Sequence, residues 1–198
     1  MNSVVEYAIL ALGLTLLPGA DVALVLRTTL SVSRKAGLLI SAGITSGLFI
    51  WGPAAGIGAA AFFTAESVAY QGLKIAGILY LLYLAIDVVR SKPVTETDDG
   101  SIPQNVFWKG FANNLFNPKA AVFYITVMPQ FLPGNLNPVV GGLLLAGIHA
   151  VWAIIFLVIL VFAAAKLRPR LTSPSTIKRI DYFVAVILLG FALRLATS

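Results

Sequence analysis

The sequence predicts an all-α membrane protein in which six transmembrane helices form two inverted three-helix repeats within one membrane domain, residues 1–198. Of its 198 residues, 59 % are hydrophobic and 11 % are charged, whereas a typical soluble domain has about 25 % charged residues. Apolar runs long enough to cross a bilayer recur along the chain. The basic residues are concentrated in alternate connections between those runs. These observations predict the class and its topology.

Composition also excludes several kinds of site. No cysteine is present, which excludes disulfides, thiolate catalysis and cysteine-ligated metals, and a single histidine argues against zinc. We therefore expect no cofactor. The net charge of +6 would suit nucleic acid, but its distribution indicates membrane orientation, so no nucleic-acid partner is expected. The first residues lack the basic region of a secretory signal, so we expect the first apolar run in the mature protein.

The apolar runs predict six spans with short connections, except for one polar linker near the middle. That linker contains proline, glycine and acidic residues, and it separates a first half, 1–89, from a second half, 110–198. The linker, residues 90–109, is predicted to be cytoplasmic. The predicted spans are Val4–Leu26, Leu38–Phe63, Ser67–Val89, Gly110–Phe131, Val139–Ala165 and Tyr182–Ala196.

Lysine and arginine predict the orientation. The first, third and fifth connections hold 11 of the 14 basic residues, and the second and fourth hold none. Basic loops remain cytoplasmic, so both termini are predicted outside a cell inner (plasma) membrane. The 11 residues are Arg27, Arg34, Lys35, Arg90, Lys92, Lys109, Lys166, Arg168, Arg170, Lys178 and Arg179.

Three spans on each side of the linker place the two halves in opposite orientations, as in inverted-repeat transporters. Pro18 and Pro118 fall at matching places in the first span of each half. Each proline is closely followed by a charge, Asp21 and Lys119 respectively. Paired interruptions of this kind indicate a binding site near the membrane midplane.

The fourth predicted span combines an apolar frame with a polar cluster. Polar groups within a membrane must face protein or a water-filled cavity, and ionisable ones are functional candidates. Proline removes a backbone donor and frees the carbonyl four residues earlier, which is how transporters build sites on broken helices. The cluster consists of Asn113, Asn114, Asn117, Pro118 and Lys119.

The side chains of this span suit a zwitterionic ligand. Asn113, Asn117 and Tyr124 recur at helical spacing, so they share one face if the proline kink is mild. Amides and a phenol offer donors and acceptors, although such groups also join membrane helices. Asp21 and Lys119 have three open interpretations: a mutual pair, contacts to opposite ends of an amino acid, or a purely structural bridge.

Other residues favour structural roles. Gly43, Gly47, Gly52 and Gly56 predict close helix packing. His149 is predicted to be a hydrogen-bonded structural residue, with proton relay as the alternative.

The segment GFANNLFNPKAAVFYITVMPQF resembles the fourth-helix signature of the LysE/RhtB family of amino-acid exporters. LLPGAD, through Pro18, Gly19 and Asp21, is similar to the family's first-helix pattern. The family usually has threonine or serine before that proline and a second proline after the glycine, where this chain has Leu17 and Ala20. This departure bears on substrate preference more than on fold. The fourth-helix residues that carry the resemblance are Asn114, Asn117, Pro118, Lys119, Ala120, Phe123, Tyr124, Pro129, Gln130 and Phe131.

The resemblance implies a secondary transporter that exports amino acids or related small zwitterions across the inner membrane, driven by an ion or proton gradient. Its partners would be the amino-acid substrate and the lipid bilayer, and homo-oligomer formation stays open. No G-x-x-x-x-G-K-[ST] loop for ATP is present. The pattern and the resemblance together give these candidate transport residues: Pro18, Gly19, Asp21, Asn114, Asn117, Pro118, Lys119 and Tyr124.

An intramembrane serine protease is the alternative from another class. Ser46 and His149 would supply a nucleophile and a base. The sequence offers no recognisable set of oxyanion donors, and a serine near glycines on a packed helix needs no catalytic explanation. Export is therefore the favoured interpretation.

Overall fold

A computed structural model describes residues 3–17, 19–57, 68–90, 102–171 and 174–197. This described part is helical and contains no strand. A π-helical turn, Phe123–Val127, and a 3-10 turn, Met128–Phe131, lie between the sixth and seventh helices. The helices are α1 (Ser3–Leu16), α2 (Ala20–Ser31), α3 (Arg34–Gly56), α4 (Val68–Arg90), α5 (Val106–Leu115), α6 (Pro118–Val122), α7 (Pro138–Leu171) and α8 (Pro174–Thr197).

Two helices of the described part are long and apolar enough to cross a membrane: α3 and the segment Pro138–Leu167 of α7. The segment Val4–Leu16 of α1 and the helix α2, which are bent by 52° at the break between them, form a third candidate if they count as one span. The all-α membrane class is thus confirmed for the described residues. Six spans in an inverted repeat stay a prediction.

The first predicted span, Val4–Leu26, is broken between Leu16 and Ala20, where the sequence indicated an interruption. α1 ends at Leu16 and α2 begins at Ala20. Gly19, with extended backbone, precedes α2 without a side-chain cap. Pro18 lies outside the described residues, but proline within a helix removes a hydrogen bond and clashes with the preceding turn. A break at this point follows from that chemistry.

The fourth predicted span is also broken, as the sequence indicated. α5 ends at Leu115 and α6 begins at Pro118, because proline is well accommodated in the first turn of a helix, where its missing N–H has no intrahelical partner. The Asn117 side-chain Oδ1 accepts a hydrogen bond from the Lys119 backbone N–H at 3.0 Å and caps α6.

Three other boundaries differ from the prediction. The sixth span is not a 15-residue helix from Tyr182, because α8 begins at Pro174 and has 24 residues. α7 continues to Leu171, beyond the predicted end at Ala165. α3 begins earlier, at Arg34, because Ser33 Oγ accepts from the Ala36 N–H at 3.1 Å. The end of the predicted second span, 58–63, lies outside the described residues.

The helices pack in pairs that join the two halves. α3 lies against α5 and α7, while α4 packs mainly on α8. Leu81 and Leu84 of α4 meet Leu188 of α8 in an apolar cluster that includes Ala20 and Ala23 of α2. α2 therefore connects the α4–α8 pair to the helices that surround the two breaks.

Glycines allow the closest of these contacts, as predicted. A methyl group at Gly43 of α3 would collide with the backbone carbonyl of Phe107. Gly52 and Gly142 are reciprocal, since a methyl group at either would meet the carbonyl oxygen of the other. Small residues bring membrane helices together in this way. The packing role of the α3 glycines is confirmed.

Candidate functional site

Two helix breaks face each other: the first break separates α1 from α2, and the second break separates α5 from α6. The first break presents an acidic side chain to the second half of the chain. Asp21 lies in the first turn of α2, where the helix dipole favours a negative charge. Its carboxylate accepts hydrogen bonds from Asn113 Nδ2 and, at 2.9 Å, from Asn117 Nδ2. Asn113 and Asn117 lie on either side of the second break, so this contact joins the two broken helices.

The second break presents a basic side chain to the first half. Lys119 Nζ donates hydrogen bonds to the backbone carbonyls of Leu14, at 2.9 Å, and Leu17, at 2.7 Å. The last carbonyls of a helix have no intrahelical partners, and a cation is favourable there. An ammonium has three N–H donors. Within the described part of the chain these two carbonyls are its acceptors, so one donor of Lys119 has no acceptor there.

Asp21 and Lys119 do not pair directly. Among the described residues, the ion pairs within 4.0 Å are Arg27–Asp181 and Lys109–Asp87. The interpretation as a direct ion pair is therefore wrong. Each charge instead contacts the opposite break, so a structural role between the two broken helices and contact with the two ends of a ligand both stay open.

Three buried asparagines surround the carboxylate side of this arrangement. Asn117, 3 % exposed, bonds both Asp21 and the backbone of Lys119. The side-chain oxygens of Asn113 and Asn114 are buried and have no hydrogen-bond partner in the described part of the chain. A buried acceptor without a partner costs free energy. The Asn114 oxygen lies against Gly47 of α3, in the contact between α3 and α5.

A small cavity connects these groups. It has a volume of about 40 Å³ and is lined by Asp21, Lys119, Asn114 and His149 together with apolar side chains. A water needs about 10–15 Å³ measured in this way, so the cavity holds a few waters but no amino acid. Binding of a larger ligand requires the surrounding helices to move apart.

Tyr124 lies behind the cavity rather than beside the asparagines. Its hydroxyl is 3.0 Å from His149 Nδ1, and the two rings stack with centroids 5.7 Å apart. Tyr124 was predicted to share a face with Asn113 and Asn117 if the proline kink is mild. That condition is not met, because the helix breaks between them and the tyrosine belongs to the π-helical turn. The prediction of a hydrogen-bonded His149 is confirmed.

The serine protease alternative is wrong. Ser46 Oγ donates to the backbone carbonyl of Ala42 within its own helix, at 2.8 Å. His149 bonds Tyr124 instead of Ser46. A nucleophile and its base must lie within hydrogen-bond reach of each other, and no such bond joins these two described residues.

Sequence reasoning missed a second polar contact between the halves. Arg27 Nε donates to Asp181 Oδ1 at 3.1 Å, and the two side chains are 11 % and 1 % exposed. The pair joins α2 to α8. Arg27 was interpreted only as a basic residue of the first connection, and no role was predicted for Asp181. An aspartate at the edge of an apolar run was the one signal available.

The comparisons with known proteins identify the family. A family model described as LysE type translocator matches residues 12–198. The uncharacterized membrane protein YrhP of Bacillus subtilis (strain 168) is 28 % identical over the whole of both chains. The uncharacterized membrane protein PA4757 of Pseudomonas aeruginosa is 28 % identical over 92 % of this chain and 89 % of the relative.

A relative with a functional name is the threonine efflux protein of Escherichia coli (strain K12), 27 % identical over 91 % of each chain. No solved structure matches the chain significantly. The family match covers both helix breaks and the residues around the cavity. The protein is therefore a membrane transporter rather than an enzyme, and it belongs to the LysE type translocator family.

Proposed function

We propose that this transporter exports amino acids or related small zwitterions across the cytoplasmic membrane. One observation carries the proposal: Asp21 and Lys119 line the same cavity, have opposite charges and do not pair with each other. Charges within a membrane are costly and mark pathways for substrates or ions. A zwitterion supplies a charge complementary to each of them.

The ligand contacts follow from the groups that remain available. The substrate carboxylate accepts the third N–H of Lys119, and the substrate ammonium faces Asp21. Asn117 holds both charged residues in place. The two helix breaks are shaped by Pro18, Gly19 and Pro118, and the start of α6 at Pro118 supports this role for Pro118. Tyr124 positions the His149 ring at the cavity wall, which its hydrogen bond to His149 supports.

A gradient of protons or another ion drives export in this proposal. The sequence lacks an ATP-binding loop. The functional name of the E. coli relative, threonine efflux protein, supports amino acids as cargo and export as the direction.

We further propose that α1/α2, α3, α4, α5/α6, α7 and α8 are six spans of one inverted-repeat domain in the inner membrane. The helix pairing supports this arrangement, because each span of the first half packs on its counterpart in the second. The broken helices meet through Asp21 and Lys119, α3 packs on α7, and α4 packs on α8. Inverted repeats place a substrate site where the broken helices meet.

Single cysteines test this topology in a chain that has none of its own. Asn135 and Gln104 are both exposed, and the proposed topology puts their connections outside and inside the cell respectively. We expect Asn135→Cys to react with an impermeant thiol reagent added to intact cells, and Gln104→Cys to react after lysis alone. Labelling of Gln104→Cys in intact cells would overturn the proposed orientation.

Efflux of radiolabelled amino acids from proteoliposomes tests the function. Replacing Asn117 by leucine removes one donor to Asp21 and the cap of α6. Hydrogen bonds to charged groups contribute about 1.5–3 kcal/mol, so efflux should fall about 10–100-fold. Asn105→Leu is the control, because Asn105 is exposed and makes no side-chain cap. Wild-type efflux by a folded Asn117→Leu protein would contradict the proposed site.

A further inference from the structure

The α4–α8 pair meets the other described helices along a narrow boundary. α4 packs mainly on α8, and α8 packs on α4 and α2. To the apolar cluster on this boundary, α2 contributes two alanines, Ala20 and Ala23, which offer little side-chain area to bury. Parts of one chain move relative to each other unless the interface between them is large and hydrophobic. The α4–α8 pair can therefore move as a unit against the other helices.

Both ion pairs of the described residues cross this same boundary. Arg27 of α2 pairs with Asp181 of α8 at 3.1 Å. Lys109 of α5 pairs with Asp87 of α4 at 2.9 Å, and the Tyr80 hydroxyl of α4 donates to the Lys109 carbonyl at 2.9 Å. When such a boundary opens, water hydrates the groups that are released. Polar contacts of this kind therefore break and reform between two states, as interface salt bridges do in switching proteins.

The Arg27–Asp181 pair is buried but incompletely bonded. Asp181 is 1 % exposed, and its Oδ2 has no hydrogen-bond partner in the described part of the chain. Lys178, three residues earlier in α8, donates instead to the Val89 carbonyl of α4 at 3.2 Å. A buried oxygen without a donor costs free energy, and water supplies donors once the boundary opens. This gain offsets part of the cost of separating Arg27 from Asp181.

The α4–α8 pair also covers the two helix breaks. In the first break, Ala20 and Ala23 lie on either side of Asp21 in the sequence and share an apolar cluster with α4 and α8. At the second break, the Tyr80 ring of α4 lies against Phe116, with centroids 5.4 Å apart. Both ion pairs lie towards the helix ends that the proposed topology puts at the cytoplasmic side. Displacement of α4 and α8 at that end would uncover the breaks from the cytoplasm.

We propose that the α4–α8 pair is the cytoplasmic gate of this transporter, and that Arg27 and Asp181 hold the gate closed. The proposal rests on the proposed export function and its topology. Separation of the two residues lets α4 and α8 move away from α2, so that substrate reaches the helix breaks from the cytoplasm. Renewed contact closes this path before the substrate leaves on the other side. Arg27 and Asp181 touch no substrate, because their role is to position the gate.

Thiol labelling measures this gate without requiring transport. Ala23→Cys places a reporter at the boundary with α4 and α8, where Ala23 is 4 % exposed, in a chain that has no cysteine of its own. Ala55→Cys is the matched control, because Ala55 of α3 is 3 % exposed in a different apolar cluster. An impermeant methanethiosulfonate is added to inside-out membrane vesicles, which expose the cytoplasmic face.

Asp181→Asn should raise the labelling rate of Ala23→Cys at least about 10-fold, because it removes one charge of a buried pair. Asparagine keeps the shape of aspartate, and the rate at Ala55→Cys should not change. An unchanged rate at Ala23→Cys would overturn the gate, and so would equal increases at both reporters, which indicate general loosening. Export is tested separately: absence of amino-acid efflux from the unmodified protein would overturn that function, whereas labelling reports the movement itself.

Charge exchange tests whether the contact between Arg27 and Asp181 holds the gate. Arg27→Asp alone places two carboxylates together, so labelling of Ala23→Cys should rise at least as much as in Asp181→Asn. Arg27→Asp combined with Asp181→Arg should return the rate most of the way to that of the reporter protein. Asp87→Asn, in the more exposed pair, should change the rate at most about 5-fold. No recovery on charge exchange would overturn the assignment of these two residues to the gate.

Discussion

Asp21→Asn should lower net export strongly while the protein remains inserted and folded. Asparagine has nearly the same shape as aspartate, so packing at the start of α2 is retained. Asparagine lacks the negative charge that attracts a substrate ammonium. Asp21 is the one carboxylate among the described residues of the cavity wall. The loss should reach about 100-fold, on the scale of 2.5–3.5 kcal/mol for a charge within the membrane. Efflux from proteoliposomes measures it, with thermal unfolding in detergent as the test of folding.

Asp87→Asn is the matched control for this substitution. Asp87 pairs with Lys109 at 2.9 Å, but both side chains are 28 % exposed and lie away from the cavity. Pairs of this kind contribute about 0–1 kcal/mol, so export should stay near the wild-type rate. Equal effects of the two aspartate substitutions would remove Asp21 from the transport site.

The double variant Asp21→Asn with Lys119→Gln distinguishes ligand contacts from a mutual ion pair. Asp21 and Lys119 bond different helix breaks rather than each other, so neutralising both should not restore efflux. Because Asn117 bonds both residues, their effects on stability should couple by about 0.5–3 kcal/mol rather than add strictly. Recovery of transport in the double variant would mean that the two charges neutralise each other directly in the membrane.

The helix breaks were predictable from sequence because their cause is local. Proline cannot donate a backbone hydrogen bond wherever the chain carries it, and α6 begins at Pro118 as that rule requires. The polar residues of the site were predictable from their local sequence as well. Asn117 and Lys119 lie in an apolar frame, and hydrocarbon excludes such groups unless they face protein or water.

The partners of these residues were not predictable, because they depend on how distant helices are aligned. Lys119 bonds carbonyls more than 100 residues earlier in the chain, and a backbone carbonyl has no signature in the sequence. Tyr124 had the spacing to join the asparagines, but the π-helical turn directs it to His149. The length of α8 was underestimated for a related reason. Its basic first turns resemble a loop in hydropathy, although they continue the helix.

Asp181→Ala should lower the free energy of unfolding by about 3–5 kcal/mol, the range for breaking a buried ion pair. Asp181 is 1 % exposed and its partner Arg27 is 11 % exposed. Removal of the carboxylate leaves the guanidinium in a poorly hydrated place between α2 and α8 without its partner. The corresponding variant of the more exposed pair, Asp87→Ala, should cost at most about 1 kcal/mol. Chemical unfolding in detergent micelles compares the two proteins.

The double variant Arg27→Leu with Asp181→Leu completes a double-mutant cycle on this contact. Removing both charges eliminates the desolvation cost together with the attraction, so the double variant should be more stable than either single leucine variant. The interaction energy from the cycle should exceed that of the Lys109–Asp87 pair, because the more exposed pair is hydrated in both the folded and unfolded states. Strictly additive losses at Arg27 and Asp181 would show that the 3.1 Å contact does not join α2 to α8 energetically.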